Sequence, residues 1–173
     1  MPDVSLDKFF SHLKATDLAR KHLWVCDIPV SDIKLYAVSS NWPGKTINAV
    51  EVPYLGFTYK VPGVQKFEES WKVTVRDTPD FKIRKYMSKW MDSIYDPVTG
   101  SAVYTGDTAF KDLTLMALKP DLSEATKINM IGAFPMNLGT IEYDFASPGE
   151  VITYDIEWGY QRWDIVDAQA TPA

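Results

Sequence analysis

Cysteine is almost missing. Cys26 is the one cysteine among 173 residues, so no internal disulfide can form. Its place inside the apolar run LWVCDIP is that of a small buried hydrophobe, not of a reactive thiol. Histidine is nearly as scarce, with only His12 and His22. Neither belongs to an HExxH run or a Cys/His ligand spacing, so no metal site is expected. A serine triad would need a histidine base beside its nucleophile, and there is no G-x-S-x-G elbow. Neither G-x-x-x-x-G-K-[ST] nor G-x-G-x-x-G occurs, so a nucleotide has no phosphate cradle and no cofactor is expected.

Long apolar runs are also lacking. None reaches the roughly 18 residues of a membrane-spanning helix, so membrane insertion by this chain is not expected. The opening MPDVSLDKFF has no basic stretch followed by an apolar one. Synthesis and folding in a cytoplasm are therefore expected. Positive charge is in the minority, with 18 Lys and Arg against 23 Asp and Glu and a net charge of −5. A protein that grips nucleic acid needs a basic footprint. The composition argues against gripping, but not against a surface past which nucleic acid slides.

What the chain does have is aromatic residues, 13% of the total, many in alternating runs. Such alternation favours β-structure. In EVITYDIEWGYQRWDI, residues 150–165, Ile152, Tyr154, Ile156, Trp158 and Tyr160 fall on one face. Thr153, Asp155 and Glu157 fall on the other. SWKVTVRD repeats the pattern, with Trp71, Val73 and Val75 inward and Lys72, Thr74 and Arg76 outward. Strands are also expected in HLWVCDIP, in AFKDLTLMALK, and in ATKINMIGAFPMNLG with a break near Pro135. TIEYDF and the following strand, joined by ASPGE, are expected to pair as a hairpin.

Two helices are expected. In SLDKFFSHLK, residues 5–14, Leu6, Phe9, Phe10 and Leu13 recur at helical spacing after Ser5, a fitting N-cap. In FKIRKYMSKWMDSIYDP the stripe is Ile83, Met87, Trp90, Met91 and Ile94, a core-facing pattern. Thr78 is the expected N-cap there, with Pro79 and Asp80 in the first turn. Pro97 and Gly100 close it.

Residues 41–65 differ from the rest. Pro43, Gly44, Pro53, Pro62 and Gly63 punctuate short extended pieces that carry Val52, Tyr54, Phe57 and Tyr59. Proline resists central strands, and a loop of this length in a compact domain usually has a function. An extended arm off the body is expected. Residues 166–173 are expected to be a frayed tail. One domain spans residues 1–173, mainly β (α+β), with roughly six to eight strands in two packed sheets or a barrel and a helix on the flank.

Chemistry, if present, would rest on carboxylates. If TIEYDF pairs with the next strand, Glu142, Asp144, Asp155 and Glu157 share one sheet face. Two such acids could run glycoside hydrolysis if burial raised one pKa. They are regularly spaced, however, and none sits in an evident aromatic cleft. A plain solvated face and an acidic wall of some function are the other readings.

The order of parts then carries a resemblance. A short helix leads into LARKHLWVCDIP, PGKTIN opens the proline-punctuated arm, and ESWKVTVRDTPDFKIRKYMSKWMDSI runs strand into helix. GAFPMNLG and the closing strand ending YQRWDI follow. Over about residues 5–165 this resembles the tail tube protein of contractile-tailed, myovirus-type bacteriophages. The resemblance implies a β-sandwich or barrel-like subunit that closes into hexameric rings, which stack into a hollow tube in the virion tail. The related tube protein of type VI secretion systems shares that architecture, so a secretion or phage-like injection apparatus is the alternative. A carboxylate-dependent carbohydrate-active enzyme or binding module is the alternative of another class. Implied partners are copies of itself, the tail sheath, baseplate or hub proteins, the tape-measure protein, and genomic DNA in transit. Under this reading the arm reaches a neighbouring subunit, and the four acids face the lumen and repel DNA.

Overall fold

The computed structural model describes Ser11, residues 18–29 and residues 33–166. Apart from Ser11 and Val166, the helix expected over 5–14 and the tail expected over 166–173 lie outside the described residues. Nine strands are described: β1 (Trp24–Asp27), β2 (Ala37–Ser40), β3 (Lys45–Tyr54), β4 (Phe57–Phe67), β5 (Trp71–Arg76), β6 (Lys111–Leu118), β7 (Glu124–Leu138), β8 (Thr153–Gly159) and β9 (Arg162–Val166). The described helices are α1 (Ile33–Tyr36), α2 (Lys82–Ile94) and α3 (Gly106–Ala109). The mainly β class read from the sequence holds, with α2 the one long helix among the described residues.

Two antiparallel sheets share β7. Its first part pairs with β6 on one side and β9 on the other, and β1 extends β6. Its last part, Phe134–Leu138, pairs with β8, which continues to β5 and β2. The expected break at Pro135 is therefore a correction: β7 continues through it and changes sheets. The joint lies at Gly132, whose φ of 63° is a left-handed conformation that costs a residue with a Cβ roughly 1–2 kcal/mol. A Cβ there would also stand 3.0 Å from Cγ of Gln161. The other crossing between the sheets is Tyr160–Gln161, where Gln161 N–H donates to the Ile131 carbonyl at 3.1 Å. The sequence run 150–165 is thus not one strand but two, β8 and β9, in different sheets.

One hydrophobic cluster takes side chains from both sheets. Leu113, Leu115, Ile128 and Met130 come from one, and Trp71, Val73, Val75, Tyr154, Ile156 and Trp158 from the other. Helix α2 closes it with Ile83, Met87 and Trp90 of the expected stripe, while Met91 and Ile94 are half-buried. The rings of Trp90 and Trp158 meet at 5.4 Å, and Trp90 Nε1 donates to the Thr108 carbonyl at 2.9 Å. Trp71 Nε1 is satisfied by Ser40 Oγ at 2.9 Å, which ties β2 to β5.

The start of α2 differs from expectation. Residues 78–81 make a turn, with Phe81 N–H donating to the Thr78 carbonyl at 2.8 Å, so the helix begins at Lys82. Its second and third N–H groups are held by the Asp77 carboxylate, at 3.3 Å from Ile83 N and 3.0 Å from Arg84 N. Thr78 Oγ1 accepts from Lys82 N–H at 3.5 Å, so the expected Thr78 does reach the first N–H of the helix, and Asp77 holds the next two with shorter bonds. The same carboxylate accepts from Tyr154 Oη at 2.7 Å and so fastens α2 to β8.

Candidate functional site

Residues 45–67 form a hairpin that leaves the body. Among the described residues β3 and β4 pair only with each other, as a separate two-stranded sheet. All ten residues of β3 are exposed, as are those of β4 apart from Gly63 and Phe67. The expected arm is therefore a continuous hairpin and not a loop. Pro53 and Pro62 are tolerated inside it because each strand of a two-stranded sheet has a free edge.

Register decides what the hairpin offers. Residues directly opposite in an antiparallel pair project to the same side. Tyr54 faces Phe57, Val52 faces Tyr59, and Val50 faces Val61, so one side is an apolar ladder. The other side carries Pro53 with Thr58, Glu51 with Lys60 and Ala49 with Pro62, and Glu51 and Lys60 bridge at 3.8 Å. On the apolar side Tyr54 keeps 63% and Phe57 69% of its surface accessible. Scattered exposed apolar residues are ordinary, but a contiguous apolar ladder marks an interaction surface.

The tip sharpens this. Leu55 and Gly56 have φ of 48° and 81°, positive at both central positions as in a type I′ turn. Such turns favour Asn or Gly first. Leu55 pays roughly 1–2 kcal/mol in backbone strain there, yet it is 80% exposed. Nothing within the body explains an apolar residue at that place.

The root is firmly fixed. Pro43 is buried, and Gly44 N–H donates to the Glu68 carboxylate at 2.8 Å. Glu68 N–H returns a bond to the Gly44 carbonyl at 3.0 Å. Phe67 meets Trp163 edge-on at 6.0 Å, and Lys45 Nζ lies 4.9 Å over the same ring. Higher up, Gly63 lies beside a register shift, where a Cβ would stand 2.8 Å from the Asn48 carbonyl oxygen.

The acids are arranged otherwise than expected. Residues 139–152 form no strand, so TIEYDF does not pair with β8 and the four acids do not share a sheet face. The cause is local. Asp144 accepts from Ala146 N–H at 2.8 Å and from Ser147 Oγ at 3.1 Å, which satisfies the backbone in a turn instead of a ladder. Glu142 and Asp144 nevertheless border the same concavity of about 880 Å³ as Asp155 and Glu157, with Glu150 and Thr74.

On the sheet itself, charge is compensated. Lys72 lies opposite Glu157, Thr74 opposite Asp155, and Arg76 opposite Thr153. Lys72 Nζ bridges Asp155 Oδ2 at 2.6 Å, and Thr74 Oγ1 donates to Asp155 Oδ1 at 2.6 Å. Lys72 first, then Thr74, hold the Asp155 carboxyl below its usual range. Alternation placed these residues on one polar side, but only the strand pairing shows which meet. Glu68, Asp77 and the Leu55 tip likewise escaped the sequence, because each acts across a contact or through a dihedral angle. No group of three or more His, Cys, Asp or Glu suited to a metal ion occurs among the described residues.

A family model described as phage tail tube protein matches residues 8–166. The tail tube protein of Serratia phage KSP90 is 27% identical over 116 residues, 67% of this chain and 65% of that relative. The same fold recurs in a chain of a solved sheath–tube complex of an extracellular contractile injection system in its extended state. There the TM-score is 0.67 at 16% identity, covering 95% of this chain and 99% of that one. A chain from the baseplate of an anti-feeding prophage gives 0.66 at 10% identity, covering 89% and 99%.

Proposed function

This chain belongs to the phage tail tube protein family, and from that premise we propose that it builds a hollow tube from stacked hexameric rings through which DNA is ejected. It is a structural protein and not an enzyme, so the carbohydrate-active alternative is set aside. Mechanism here means assembly, and two features of the fold support it.

The first is the pair of open edges. Among the described residues the sheet of β8, β5 and β2 ends on β2 at one side and on residues 134–138 of β7 at the other. Unpaired strand edges invite another strand. A head-to-tail contact that joins β2 of one copy to the 134–138 segment of the next satisfies both edges, and a ring is the arrangement in which none is left over. The outward face of this sheet, with Lys72, Thr74, Arg76, Thr153, Asp155 and Glu157, then lines the bore. The acids of residues 142–150 add negative charge beside it, which keeps a polyanion sliding.

The second feature is the hairpin, and it carries the reading. The hairpin reaches about 30 Å from root to tip, and its ladder of Val50, Val52, Tyr54, Phe57, Tyr59 and Val61 fills the outer half. We place it against a second copy in an adjacent ring, where burial of the ladder drives stacking. Sheath, baseplate and tape-measure proteins are the further partners, and the virion tail is the site of action. The fold shared with injection-system tubes leaves a secretion or injection apparatus as the alternative setting. Concentrated protein viewed by negative-stain microscopy should give hollow rods. V52S/Y59S should give none while its circular dichroism and melting stay as before. Rods from V52S/Y59S would refute the role assigned to the hairpin.

A further inference from the structure

The Lys72–Asp155 bridge stands on a surface where it does little for the fold. Its side chains are 49% and 37% accessible, and exposed pairs of this kind add little to stability. Yet the geometry is tight. Asp155 is held on one oxygen by Lys72 and on the other by Thr74, each at 2.6 Å. Lys72 also lies directly opposite Glu157 on the neighbouring strand. Arg76, two steps beyond Thr74, faces Thr153 and has no carboxylate at ion-pair distance among the described residues. The sheet face therefore holds one cation clasped between acids and one open cation.

We propose that Asp155 is a mask: it keeps Lys72 from capturing the phosphates of DNA moving past this wall. The proposal rests on the reading of this sheet face as the bore. An unpaired ammonium exchanges its counterions for phosphates, and each such contact steepens the salt dependence of binding by about 0.9 in log–log slope. An ammonium already at contact distance from a carboxylate has no counterion to release. The field of the pair also decays faster than that of a lone charge, well inside the roughly 8 Å screening length of physiological salt. Thr74 contributes by fixing the rotamer of Asp155, so the mask does not swing away. Asp155 and Thr74 are positioning residues in this sense; neither binds the cargo.

The test uses assembled tubes and a short fluorescent DNA duplex, with retention on sedimented tubes measured across a sodium chloride series. D155N keeps the shape and the bond to Thr74 but loses the charge, and should retain DNA about tenfold more tightly at low salt, with a steeper salt slope. D155S is a second unmasked variant should D155N polymerise poorly. K72Q/D155N should return to wild-type retention. E142Q removes the same charge from an acid that clasps no lysine, and should change retention far less than D155N. Equal retention by D155N and E142Q, or no reversal by K72Q/D155N, overturns the mask. The reading beneath it is checked separately with T153C. In tubes its thiol should react with a small maleimide and resist one carried on a long polyethylene glycol. Cys26 does not interfere, because it is buried and its thiol is pushed up to about 11. Labelling of T153C by the large reagent places the face outside the tube and overturns the bore assignment and the mask together.

Discussion

The body and the hairpin use the same alternation to opposite ends. In β5 and β8 the apolar residues Trp71, Val73, Val75, Tyr154, Ile156 and Trp158 are all buried against one core. In β3 and β4 the residues of the apolar ladder alternate just as strictly, yet every one of them is exposed. A period of two states only that one side seeks an apolar partner. It does not state whether the partner lies in the same chain. The body finds its partner by folding, and the hairpin is left to find one by association. Stability and assembly are therefore expected to separate along this boundary.

Several substitutions test that separation. Trp158→Ala should have the largest effect. It removes a fully buried ring from the contact with Trp90 and should cost about 3–5 kcal/mol, with assembly lost because the fold is lost. Chemical denaturation with a fitted midpoint measures it, and a change below about 1 kcal/mol would blur the boundary. V52S/Y59S should abolish polymerisation and leave the denaturation midpoint within about 0.5 kcal/mol of wild type, as for surface substitutions. Gly132→Ala should cost roughly 1–2 kcal/mol, because the joint between the sheets needs a left-handed residue. Leu55→Gly is the finest probe. It relieves the strained turn, so the fold should be unchanged or up to about 1 kcal/mol more stable, while tube formation weakens. Stronger assembly from Leu55→Gly would show that the turn matters for shape alone and not for its apolar tip.

Much of the body was legible because its signals are local. The stripe of Ile83, Met87 and Trp90 predicted a core-facing helix, alternation predicted β5 and β8, and the strand expected in AFKDLTLMALK is β6. Misreadings came where a particular contact, near or far in sequence, overrides the pattern. TIEYDF alternates like a strand, but Asp144 closes a turn with Ala146 and Ser147 and no neighbouring strand pairs with it. Thr78 was read as the N-cap and does accept from Lys82 N–H, but the shorter bonds to the next two N–H groups come from Asp77, which the pattern did not single out. Pro135 looked like a strand end, but β7 runs on through it paired with β8, past the joint between the sheets at Gly132. In the arm, the prolines argued against strands, and only the absence of a third strand makes them tolerable. The four acids were chosen from a pairing that does not form, and the bridge from Lys72 to Asp155 depends on a register that alternation alone cannot fix.

One measurement reaches the central claim most directly: a cryo-EM reconstruction of polymerised protein that traces the main chain between copies. The account predicts main-chain hydrogen bonds from Ala37–Ser40 of one copy to residues 134–138 of the next, with Tyr54, Phe57 and Tyr59 buried on a different copy. A polymer in which both sheet edges stay unpaired between copies and the hairpin's apolar side faces solvent would contradict it.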